Sequence, residues 1–127
     1  MKKIIIAILL FFTAVFFMLQ YYFTDIQINK YPDKETVVND KAIEKGWIPA
    51  LLPDSASEIT ETHDAQRNEL LGSFLYKEKD EAALLKKLSP APDMNNTYQW
   101  GNFLFHIDTK LNRVKFRNKP GTPVNNE

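Results

Sequence analysis

His63-Asp64, with Glu58 and Glu61 shortly before it, is the grouping best able to do chemistry. A histidine beside carboxylates can act as a general base or ligate a metal. Alternate side chains of a strand point to opposite faces, however. Glu61 and His63 then share a face and Asp64 turns away, which argues against one site built from all three. The plainer reading is a hydrogen-bonded histidine in a turn or at a strand edge. His106 and Asp108 also share one strand face. Trp47 stands directly after Gly46 and two residues before Pro49. Its ring can brace an irregular segment from beneath or be presented to a partner. Arg113, Lys115 and Arg117 alternate along the last apolar stretch. Such a row is a solvated face that guards an edge strand, or a contact for anionic lipid or an acidic partner.

Other chemistries lack their residues. There is no cysteine, which excludes thiol nucleophiles, iron–sulfur clusters and thiolate zinc sites. No G-x-S-x-G or H-E-x-x-H is present, and Gly46, Gly72, Gly101 and Gly121 are too scattered to cradle phosphate. Lysine plus arginine total 16, as do aspartate plus glutamate, so no electrostatic footprint for nucleic acid exists. The expectation is a chain without catalytic residues, cofactor or metal.

The elements that must position these residues begin after an apolar run. Residues 4–23 contain no charge, and at about 1.5 Å per residue they span roughly 30 Å, the hydrocarbon thickness of a bilayer. Lys2 and Lys3 precede the run and Tyr21 and Tyr22 lie at its far end, as the positive-inside rule and the aromatic belt would have it. The run is longer than the apolar part of a cleavable signal, and no small-residue pair follows it. We therefore read residues 1–24 as a retained signal anchor that holds the lipid bilayer through residues 4–23. The N-terminus is placed inside and the remainder outside the cytoplasm, in a bacterial inner membrane. All 16 acidic residues and 14 of the 16 basic ones follow Phe23, leaving the outer part at about −2. It is not a polybasic lipid-binding domain.

Residues 25–118 are long enough for one small domain. Period-two alternation predicts strands over 25–31, 59–66, 70–77, 97–108 and 113–118. Pro32-Asp33 should break the first, Asn68 should lie near the turn between the second and third, and 108–112 should turn a closing hairpin. Phe103, Phe105 and Ile107 should share the buried face of the fourth, with Phe74 and Tyr76 beside them. Helical spacing predicts helices over 35–45, stopped by Gly46, and 80–88, with Asp80 as its cap. The order is that of an α+β, ferredoxin-like split βαβ domain, an antiparallel sheet with two helices on one face. The proline- and glycine-bearing tail, 119–127, should be disordered.

One segment is more specific. Gly46-Trp47-Ile48-Pro49, Leu52-Pro53, Ser55-Ala56, Ile59, Glu61, His63-Asp64 and Asn68 form a pattern that resembles a group of small uncharacterised bacterial membrane-anchored or exported proteins. Gln66 and Arg67 stand where that group commonly has an acidic residue and a threonine. The resemblance implies location and fold and transfers no mechanism. The expected function is a membrane-anchored extracytoplasmic binding or accessory module, with a membrane protein as the partner in prospect. Its contact residues would be drawn from Trp47, Glu61, His63, Asp64 and Asn68. The alternative is a sensor domain that takes a small ligand or metal on the His63-Asp64 segment.

Overall fold

The computed structural model describes residues 1–23, 26–92 and 94–125. The expected anchor–domain boundary at 24–25 and the last two residues lie outside them. Helix α1 (Lys2–Phe23) holds 22 residues and is about 33 Å long. It is long and apolar enough to cross a membrane. Its described large apolar side chains are exposed, from Ile4 to Tyr21. Val15, Met18 and Leu19 share a cavity with Ile26, Asp64, Gln66 and Arg67 of the domain, but none of the span is buried, and water would penalise so much bare apolar surface.

The rest of the chain runs β1 (Ile26–Asp33), α2 (Lys34–Asn39), β2 (Ser57–Asp64) and β3 (Glu69–Leu75). It continues through a short 3-10 turn into α3 (Glu81–Lys87), then β4 (Ser89–Pro90), β5 (Tyr98–Trp100), β6 (Phe103–Asp108) and β7 (Arg113–Asn118). The strands form one sheet in the order β1-β2-β3-β7-β6-β5-β4, and every neighbouring pair is antiparallel. The α+β class holds. The ferredoxin-like order does not: β1, β2 and β3 form a meander, and β7 returns to close against β3. The connections are long enough for crossovers, with residues 34–56 between β1 and β2 and 76–88 between β3 and β4, but they hold only short helices of six and seven residues. The first lies over the sheet and returns β2 beside β1 as an antiparallel neighbour.

Several boundaries depart from expectation for local reasons. Pro32 does not break β1, which runs to Asp33. As the sheet's edge, β1 tolerates a residue without an N–H. Helix α2 stops at Asn39, and Lys41 then takes a left-handed φ of 59°. Its N-terminus is capped by Asp33, whose carboxylate accepts from the Thr36 amide at 2.9 Å. Asp80 stands at the N-cap of α3 but makes no side-chain cap hydrogen bond. The expected single strand over 97–108 is a hairpin. Trp100 pairs with Phe103 across Gly101-Asn102, with Gly101 at φ 55°. The closing hairpin forms as expected: Asp108 Oδ1 accepts from the Lys110 and Leu111 amides, and Asn112 takes φ 51°. Strand β7 lies between β3 and β6, so the Arg113, Lys115 and Arg117 row borders no edge.

One face of the sheet is covered and holds the core. Ile59, Leu70, Phe74, Phe105, Val114 and Phe116 point into it and are buried. Val37, Ala42 and the irregular stretch containing Trp47, Ile48, Leu51 and Leu52 cover them, together with Leu84 and Leu88 of and just after α3. Phe103 is buried with them and Ile107 partly so. The prolines do what helix or strand would otherwise do, holding an apolar stretch down without a backbone ladder.

Phe116 needs Gly72. The two are register partners across β3 and β7. A Cβ on Gly72 would fall 2.1 Å from Phe116 Cζ and 2.6 Å from the Thr60 carbonyl oxygen. The oxygen belongs to the neighbouring strand and cannot swing away. Gly72→Ala should destabilise the domain by roughly 1–3 kcal/mol through overpacking. Urea unfolding with an unchanged m-value checks it.

Candidate functional site

The buried polar residues of the domain sit where β1 and β2 face the irregular segment. Glu61 and His63 are two residues apart on β2, so the pleat puts both on the covered face. Both are buried, at 0% and 1% exposure. On β1 the same pleat turns Gln27 and Asn29 inward and leaves Ile26 and Ile28 on the open side. Asn29 is the register partner of Glu61, and Gln27 that of His63.

The cluster is closely bonded. His63 Nδ1 lies 2.9 Å from Glu61 Oε1 and 2.8 Å from Oε2. An ionised carboxylate can only accept, so with Glu61 ionised Nδ1 is the donor. Asn29 Nδ2 donates to Glu61 Oε1 at 2.9 Å. The Trp47 indole stacks on the imidazole at 4.6 Å between centroids and 25° between planes. Lys45 Nζ sits 4.6 Å from the indole centroid, and Trp47 Nε1 donates to the Asn125 carbonyl at 2.7 Å. His63 Nε2 is buried with no hydrogen-bond partner.

Burial pushes the Glu61 carboxyl above its ordinary value, while the bonds from Asn29 and His63 and the nearby imidazole pull it back. The folded state therefore holds this proton to a higher pH than the unfolded chain does. Where the folded state binds more protons, stability falls as pH rises. The loss should begin near pH 4.5, the ordinary value, and finish once the raised value is passed. Glu61→Gln should flatten that decline relative to the unaltered chain, as read by thermal unfolding across a pH series.

Of the five expected contact residues, the structure brings together Trp47, Glu61 and His63. Asp64 and Asn68 do other work. Asp64 Oδ1 accepts from the Gln66 amide at 3.0 Å and shapes the β2–β3 turn. Asn68 closes that turn at φ 52°, and its Oδ1 accepts from the Val124 amide at 3.2 Å. His63 is neither in a turn nor at an edge, since β2 lies between β1 and β3. His106 is exposed on the opposite face of the sheet, so the two histidines share no site. Asn29 was not singled out by sequence. In DIQINKY the alternation is legible, but only the register of β1 against β2 shows that its polar residues face Glu61 and His63.

Chemically the arrangement is a carboxylate–imidazole pair shielded from water. Trp47 covers the imidazole face and Asn29 takes one carboxylate oxygen. Among the described residues, no three His, Asp or Glu converge to hold a metal ion. A buried polar pair adds little net stability, but removing one partner is costly because the other is left buried and unsatisfied. The geometry thus serves to fix β1, β2 and the irregular segment in one arrangement.

Neither a curated protein nor a solved structure matches the chain. Over residues 25–75, which run from the start of the domain through β3 and enclose Trp47, Glu61, His63 and Asn68, the chain matches the family model described as the YbbD head domain.

Proposed function

We propose that this chain is a single-span membrane protein whose sheet domain stands outside the cytoplasm, in a bacterial inner membrane, and acts as a binding or accessory module rather than an enzyme. The observation that carries the reading is α1, a helix long enough for a bilayer whose large apolar side chains stay exposed instead of packing into the domain core. Lys2 and Lys3 at its start favour an N-terminus inside. A module held by one helix is confined near the membrane, which raises its effective concentration for membrane-protein partners. The Glu61–His63 pair fits this reading as a brace, its carboxylate already engaged by Asn29 and the imidazole. Intact mass of the membrane-extracted chain tests the anchor. The retained N-terminus is expected, and a mature chain beginning between Tyr21 and Lys30 would sink the reading.

One observation favours a second reading, a sensor of a small ligand or metal: His63 Nε2 is buried and bonded to nothing. Zinc and calcium titrations followed by melting temperature separate the two. A module braced by the pair gives no metal-dependent rise. A rise that disappears in His63→Gln would favour the sensor, because a ligand that binds the native state stabilises it by mass action.

A further inference from the structure

Two polar side chains of the head segment spend themselves on the main chain of residues far along the sequence. Trp47 Nε1 donates to the Asn125 carbonyl, and Asn68 Oδ1 accepts from the Val124 amide. Between those bonds the Val124 side chain packs, partly buried, against the core. Asn118 holds the approach: its Nδ2 donates to the Asn68 carbonyl at 2.6 Å and lies 3.3 Å from the Thr122 carbonyl. A cavity of about 110 Å³ remains beside this strap, lined among others by Lys45, Leu70 and Phe103.

The strap makes no ladder with the sheet. Pro120, Gly121 and Pro123 keep it out of helix and strand. Its two bonds to Trp47 and Asn68 go to backbone groups that every residue possesses except, at the amide, proline. Val124 contributes the strap's apolar side chain, partly buried against the core. Trp47 and Asn68 lie within the matched residues 25–75, and the strap lies outside them. The head segment thus supplies the two side chains that hold the strap, while Phe103 and Asn118 complete the groove from outside it.

The geometry points to a peptide-binding groove over Trp47 and Asn68, filled in cis by residues 122–125, which takes in trans an extended peptide with a β-branched aliphatic residue at the Val124 position. This rests on the binding-module reading and names its partner class. Recognition is by backbone hydrogen bonds with one aliphatic anchor, as in other modes that read extended peptides. The cis strap competes for the groove, so apparent affinity in trans is reduced by the fraction of molecules in which the strap is open.

The test uses the full chain in detergent with Trp100→Phe, so that Trp47 is the remaining indole, and a synthetic peptide of the sequence Lys-Pro-Gly-Thr-Pro-Val-Asn. Val124→Asp vacates the groove. Trp47 emission should move to longer wavelength, and the peptide should bind saturably and return it. The chain with Val124 intact should bind about tenfold or more weakly, the reduction set by cis occupancy. Asn68→Ala in the Val124→Asp background should weaken capture again. No saturable binding, equal binding of a peptide with aspartate in place of valine, or indifference to Asn68→Ala would overturn the proposal. Should Val124→Asp fail to fold, hydrogen exchange of the chain with Val124 intact decides. An amide of Val124 that opens well below the global unfolding free energy supports a displaceable strap, and one that exchanges only with global unfolding overturns it. These readings do not depend on where the chain resides, so the groove can fail while the anchor reading stands.

Discussion

His63→Ala should cost about 3–5 kcal/mol, since it opens a ring-sized cavity and leaves the buried Glu61 carboxyl short of a hydrogen-bond partner. The loss has two parts. Glu61 would stay buried with Asn29 as its remaining hydrogen-bond donor of the pair's surroundings, and Trp47 would lose the ring it stacks on. Against a total stability of order 5–15 kcal/mol, this could unfold much of the population. Replacing both members together makes a sharper test. Glu61→Met with His63→Leu removes both polar groups at similar volume, so the double variant should be more stable than His63→Ala alone. Equilibrium urea unfolding of the three chains reads this directly. A His63→Ala loss under about 1 kcal/mol would mean that the imidazole is not the carboxylate's support.

Phe105→Ala should be comparably severe, at roughly 3–5 kcal/mol. Phe105 is 1% exposed, lies on a strand near the middle of the sheet and pairs in register with Phe116. Phe103 tilts beside it at 6.3 Å between ring centroids, and Phe103 in turn meets Phe116 edge-on at 5.9 Å. Deleting the ring removes its contacts and leaves a cavity that the flanking strands cannot close without breaking ladder bonds. A small loss in urea unfolding would show that the aromatic face is not the core. The Phe116 partner makes the Gly72 prediction a second, independent probe of the same packing.

Much of this fold could be read from alternation alone. Strand β7 was expected with its observed bounds, and β2 and β3 within two residues, because apolar and polar residues there keep a period of two. The hairpin inside 97–108 was missed for a definable reason. Tyr98 and Trp100 hold even positions while Phe103 and Phe105 hold odd ones. That change of parity marks the two-residue turn at Gly101-Asn102, and a continuous strand could not carry it. Sheet order was not legible, since antiparallel pairing depends on which edges meet in space. Helices α2 and α3 are shorter than their apolar patterns suggest, and the irregular chain around them covers the sheet without crossing it.

The candidate site divides the same way. That Glu61 and His63 share a face, with Asp64 turned away, follows from the pleat and was expected. That the face is buried depends on Trp47 and its neighbouring prolines folding back over β2, which no periodicity encodes. Asn29 sits on a strand whose isoleucines point outward, and its inward amide meets the buried Glu61 carboxyl. The tail, expected to be disordered over 119–127, is described to Asn125, and there its main chain meets Trp47 and Asn68.

We propose that α1 tethers the sheet domain outside the cytoplasm. Protease added to intact spheroplasts, with the surviving fragments weighed by mass spectrometry, puts this to the test. The domain should be degraded from outside while a membrane-embedded fragment beginning at Met1 survives. A domain that stays intact until the membrane is lysed, or that leaves the membrane with the supernatant, would contradict it.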